Sequence, residues 1–95
     1  MNTITATIFN QLKLLDRRAM MAWGAQNLVA MQDGLKFKTS GMVRWKGWVY
    51  IKYDHIQDLY NIDFFRVRAA EIKYDRREVG VYAEDLVRFI DAQVG

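Results

Sequence analysis

The stretch Met42–Tyr53, MVRWKGWVYIKY, constrains this chain more than any other because it alternates from end to end. Val43, Trp45, Val49, Ile51 and Tyr53 hold the odd positions; Arg44, Lys46, Trp48, Tyr50 and Lys52 hold the even ones. A β-strand sends successive side chains to opposite faces, so the spacing predicts one face in a core and the other carrying cations and rings. Gly47 inside the run marks a bulge or a close backbone approach. A bulge would exchange the faces of Trp48 and Tyr50 relative to Arg44 and Lys46.

Around that strand the chain reads as short elements joined by tight turns. Ile4, Ile8, Leu12 and Leu15 form an apolar stripe that predicts a helix over Asn2–Leu15, capped by Asn2, Thr3 or Thr5. After the charged break Asp16-Arg17-Arg18, Ala19–Trp23 is expected as a short strand ending at Gly24. Leu28–Met31 and Leu35–Lys38 flank Gln32-Asp33-Gly34, and Asp-Gly between apolar runs signals a hairpin. In its second arm Leu35 and Phe37 point inward while Lys36 and Lys38 point out.

Thr39-Ser40-Gly41 then turns into the alternating strand, and Asp54–Asp58 is a polar turn capped by Asp54. Leu59–Arg68 alternates again, with Tyr60, Ile62 and Phe64 on one face and Asn61, Asp63 and Phe65 on the other. Ala69-Ala70 turns the chain into Glu71–Val79, whose charge suits an edge strand. Past Gly80, Tyr82–Val94 is expected as a helix burying Tyr82, Leu86, Phe89, Ile90 and Val94, with Glu84 and Asp85 in its first turn.

Together these elements predict a single α+β domain over residues 1–95: an antiparallel meander sheet of four to five strands, with N- and C-terminal helices packed on one face. The other face is left to solvent or a partner. Lys36, Lys38, Arg44, Lys46 and Lys52 are expected on it.

Charge placement sharpens this expectation. From Gly34 to Tyr53 there are five cations and no acid, whereas the rest of the chain holds nine cations against eleven acids. The positive potential is therefore local to one hairpin, where it can steer an anionic partner. No cysteine is present, which removes disulfides and thiolate chemistry and suits a reducing cytoplasm. The uncharged first twelve residues do not read as a secretion signal. The uncharged run Ala19–Gln32 is too short for a membrane span and contains Gln26, Asn27 and Gln32.

Enzymatic chemistry finds little support. The one histidine, His55, lies in a polar turn between Asp54 and Asp58, without a nucleophile paired to it in the sequence. Glu84 and Asp85 are explained as helix-start residues, and Gly80 alone cannot cradle a nucleotide phosphate. Neither a metal nor another cofactor is called for, so a non-enzymatic binding protein is expected.

Several phrases occur together in fixed order: Met21-Ala22-Trp23-Gly24-Ala25-Gln26-Asn27, Gly34-Leu35-Lys36-Phe37-Lys38, Asp58-Leu59-Tyr60-Asn61-Ile62-Asp63-Phe64, Arg66-Val67-Arg68 and Gly80-Val81-Tyr82-Ala83-Glu84-Asp85-Leu86. On these the chain resembles a family of small uncharacterised proteins of phages, prophages and bacterial mobile elements. The resemblance runs from about residue 8 onward and departs at Arg44-Trp45-Lys46-Gly47-Trp48, where the family is less rich in tryptophan. It implies a phage-type protein of the bacterial cytoplasm and carries no activity onto any residue. In such a setting a compact binding domain often works by occlusion, blocking a host protein or a nucleoprotein such as a defence complex.

The candidate site is the basic–aromatic face: Lys36, Lys38, Arg44, Lys46, Trp48, Tyr50 and Lys52. Cations neutralise phosphates and rings stack on bases, which fits nucleic acid. Arg and aromatic residues equally anchor protein interfaces, which fits a host protein. Long basic side chains also cover an exposed sheet without any partner. A homodimer formed through the aromatic strand is a third expectation.

Overall fold

The computed structural model describes residues 2–95. Helix α1 (Thr3–Leu15) is followed by a single helical turn, α2 (Ala19–Ala22). Five strands come next: β1 (Gln26–Met31), β2 (Gly34–Lys38), β3 (Trp48–Asp54), β4 (Leu59–Arg68) and β5 (Glu71–Val81). A 3-10 turn (Ala83–Asp85) leads into helix α3 (Leu86–Val94). The strands form one antiparallel sheet in the order β1-β2-β3-β4-β5, each paired with its sequence neighbour. The architecture is the α+β meander expected from the sequence.

One face of that sheet makes the core. Leu35 and Phe37, Val49 and Ile51, and Ile62 and Phe64 are i,i+2 pairs on neighbouring strands, and all six are fully buried. Ile8 and Leu12 of α1 and Leu86, Ile90 and Val94 of α3 cover them. Each such side chain stabilises the fold by roughly 1.5–3 kcal/mol through burial. The helical stripes are narrower than expected, for Leu15 and Tyr82 are exposed. Asn2 caps α1, its Oδ1 accepting the Thr5 N–H at 2.8 Å. The buried Thr5 hydroxyl donates to the Gly34 carbonyl at 2.7 Å, which ties the helix start to the β1–β2 turn.

Two sequence expectations are corrected. Ala19–Trp23 is helical, with the Trp23 N–H donating to the Ala19 carbonyl at 2.9 Å. The helical turn delivers the Trp23 ring, 1% exposed, onto Phe37 in parallel stacking at 6.1 Å. Its indole Nε1 donates to Asp91 Oδ1 at 3.1 Å. Burial of one large ring outweighs the weak local periodicity of this run.

The second correction concerns the alternating stretch, where strand geometry begins at Trp48 rather than Met42. Upstream the backbone is engaged elsewhere. The Arg44 and Trp45 N–H groups both donate to the Val94 carbonyl, at 3.0 and 3.2 Å, and the Gly47 N–H donates to Thr39 Oγ1 at 3.0 Å. The period-two pattern survives without a strand because Val43 and Trp45 still pack against the core. A Cβ on Gly47 would fall 2.6 Å from the Trp45 ring and 2.8 Å from the Phe65 carbonyl, so glycine is required by close approach.

Gly80 does not end β5. At φ +67° it lies in a bulge where Val79 and Gly80 together oppose Asn61, and its N–H donates to Asn61 Oδ1 at 3.1 Å. No helix among the described residues is long and apolar enough to cross a membrane.

Candidate functional site

Because Val49 and Ile51 enter the core, Trp48, Tyr50 and Lys52 point to the face the helices leave uncovered. The register places Lys38 beside Trp48, Trp48 beside Phe65, and Phe65 beside Tyr74, forming one row across four strands. Trp48 and Phe65 are nearly parallel at 6.4 Å, and Tyr74 tilts against Phe65 at 5.8 Å. Lys36 Nζ sits 5.1 Å from the Trp48 ring centre and Arg77 Cζ 3.7 Å from that of Tyr74, both within cation–π range.

The next row runs Lys36, Tyr50, Asp63, Arg77. Asp63 is only 6% exposed and receives Lys52 Nζ at 2.8 Å and Arg77 Nε at 3.3 Å. The Tyr50 hydroxyl donates to Asp33 Oδ1. Burial, and then the Asp33 carboxylate that accepts its proton, push the Tyr50 phenol well above its ordinary range. This row largely satisfies its own charges.

At the Trp48 end of the strands lies a groove of about 290 Å³, lined by Lys38, Lys46, Gly47, Trp48, Arg66, Val67, Arg68 and Lys73. Five of these residues are cations and none is an acid. Arg66 is held from behind by Asp75: Nη2 donates to Oδ1 at 3.1 Å, while Nε lies 2.6 Å from Oδ2 without aligning its N–H on that oxygen. Asp75 can reach there because it is the extra residue of a β5 bulge, between the partners of Phe64 and Phe65. Its Oδ2 also accepts the Trp45 indole N–H at 2.9 Å, and Trp45 packs edge-on against Phe64. Arg66, and then Trp45, hold the Asp75 carboxyl below the usual carboxylate range. Among the described residues, no carboxylate lies within ion-pair distance of Lys38, Lys46, Arg68 or Lys73.

Of the seven residues expected at the site, Lys36, Lys38, Trp48, Tyr50 and Lys52 share the open face, and Lys46 joins at the groove. The faces of Trp48 and Tyr50 are not exchanged. Arg44 is not part of the surface: its Nη2 donates to the Ala92 carbonyl near the C-terminal end of α3, where a cation suits the helix dipole. The loop that replaces the expected strand start turns Arg44 away.

Arg66, Arg68 and Lys73 line the groove although their sequence reads as ordinary edge-strand charge; alternation puts them on the face of Phe64, opposite Trp48 and Phe65, so the groove wraps the end of the sheet. The signal that finds them is topological. A meander brings the end of β2, the start of β3, the end of β4 and the start of β5 to one end of the sheet. At the opposite end a second cavity is lined by Gln11, Tyr53, Gln57, Asp58, Tyr60, Tyr82 and Glu84 together with Leu59 and Ala83, and contains no cation. There the Tyr53 hydroxyl donates to Asp58 Oδ1 at 2.5 Å. Comparison of the chain with protein-family models, curated proteins and solved structures gives no match.

Proposed function

We propose that this chain is a non-enzymatic binding protein that holds a nucleic-acid strand along the groove at the Trp48 end of its sheet. One observation carries the reading: Lys38, Lys46, Arg68 and Lys73 line one groove with an indole, and among the described residues no carboxylate lies within ion-pair distance of them. A cation that meets a phosphate releases a condensed counterion, and base–aromatic stacking adds about 1–3 kcal/mol per base. From β2 to β5 the cations span three inter-strand spacings, roughly 14 Å, a track rather than a pocket for one phosphate. The test is fluorescence anisotropy of a labelled single-stranded oligonucleotide at low salt. Saturable binding is expected; a flat titration sinks the reading.

A second reading is favoured by Val67 and Ile72, which are paired across the β4–β5 hairpin beside the groove and are each more than half exposed. Apolar surface next to cations suits a nucleoprotein; the phage resemblance implies only a bacterial cytoplasmic setting, and occlusion of a host complex is the role proposed within it. A pull-down from nuclease-treated bacterial lysate separates the two. One dominant protein retained after nuclease supports occlusion of a host protein, and loss of all material with nuclease supports nucleic acid alone.

A further inference from the structure

The two edges of the sheet are finished in opposite ways. β5 carries Glu71, Lys73, Asp75, Arg76, Arg77 and Glu78, and it is interrupted by two bulges. Charge and bulges are the devices that keep an edge strand from pairing with another chain. β1 has no ionisable residue, and none occurs anywhere between Arg18 and Asp33. Its single irregularity takes up Asn27 and Leu28, with Asn27 at φ +54°, and leaves Val29–Met31 as the regular run available for pairing.

Every residue from Gln26 to Ala30 is exposed, including Leu28 at 42% and Val29 at 39%. Among the described elements, β2 alone makes extensive contact with β1. An antiparallel pair uses the N–H and C=O groups of alternate residues, so the outer side of β1 keeps unpaired donors and acceptors. The aromatic strand β3 lies in the middle of the sheet and has no free edge to offer.

We propose that β1 pairs antiparallel with β1 of a second copy of this chain, giving a two-fold dimer with one continuous ten-stranded sheet. A second copy fits because antiparallel pairing of a strand with itself is self-complementary by symmetry. It sets no like charges against each other, and a two-fold at Val29 brings that exposed side chain onto its own counterpart, with Leu28 opposite Ala30. Pairing of β1 with β5 would instead lay a neutral strand on a charged, twice-bulged one and leave a free edge at each end of an open filament. The two-fold axis runs perpendicular to the sheet, so both open faces lie on one side and the helices on the other. The dimer carries two basic grooves, one at the Trp48 end of each copy's sheet, a consequence that rests on the proposed function; the dimer itself does not.

Light scattering of the full chain over a range of concentrations tests the dimer. The expected mass is that of two chains, with slowed amide exchange in β1. Val29→Lys is expected to give a monomer of unchanged circular dichroism, and mixing it with Val29→Glu is expected to restore the dimer mass. A chain that stays monomeric with fast-exchanging β1 amides overturns the proposal. So does a dimer that survives Val29→Lys but is lost in Trp48→Ala. Oligonucleotide binding by the Val29→Lys monomer reports on the groove separately.

Discussion

Two neighbouring parts of the sheet use the same residue types and reach opposite electrostatic states. In the row Lys36–Tyr50–Asp63–Arg77, Lys52 and Arg77 close on a buried Asp63 and Tyr50 closes on Asp33. In the groove, Lys38, Lys46, Arg68 and Lys73 make no ion pair, and the nearby Asp75 bonds Arg66 and Trp45 instead. The position of each acid, more than the number of cations, decides whether a basic surface satisfies itself or awaits an anion. A desolvated carboxylate inside the row binds its neighbours; a bulge that rotates a carboxylate away leaves cations free.

The contrast can be broken from either side. Replacing Lys38, Lys46, Arg68 and Lys73 together by alanine should weaken oligonucleotide binding at low salt by roughly a hundredfold or more. Thermal unfolding should stay near wild type, since these are exposed or groove-lining side chains. Asp63→Ala should do the reverse. Stranding Lys52 and Arg77 is expected to cost about 1–2 kcal/mol in denaturant unfolding while oligonucleotide affinity does not fall.

A smaller effect comes from Asp75. Its carboxyl is held below the usual range, so the stability it contributes is present above the unfolded-state value of about 3.9 and is lost as pH falls through the lower folded value. The Tm difference between wild type and Asp75→Asn should therefore be constant near neutrality and shrink below about pH 4. The smallest effect lies in the β4–β5 turn. Ala69 and Ala70 both have positive φ, +50° and +66°, and Ala70→Gly should stabilise the chain by about 0.5–1 kcal/mol in the same unfolding assay without altering binding.

Most of the fold was legible because its strands alternate cleanly. Leu59–Arg68 has the bounds its pattern indicated, and Leu35, Phe37, Val49 and Ile51 face inward as spaced. The misread elements are those where a long-range contact overrules local pattern. Trp23 is drawn to Phe37 and Asp91, and the Arg44–Trp45 backbone is drawn to Val94. The candidate site was half legible. Lys38, Lys46 and Trp48 stand out in one alternating hairpin, but Arg66, Arg68 and Lys73 join them only through sheet register. The bulge at Asp75, which keeps an acid out of the groove, has no glycine or proline to announce it.

The central claim is that the groove cations are free for phosphate, and the salt dependence of oligonucleotide affinity tests it most directly. Each phosphate contact contributes about 0.7 to the slope of log affinity against log salt for a single strand. Wild type should show a steep negative slope that flattens by about 0.7 for each of Lys38, Lys46, Arg68 and Lys73 changed to alanine, and that Lys52→Ala leaves unchanged. A slope indifferent to the four groove residues, or one that follows Lys52 instead, would contradict the account.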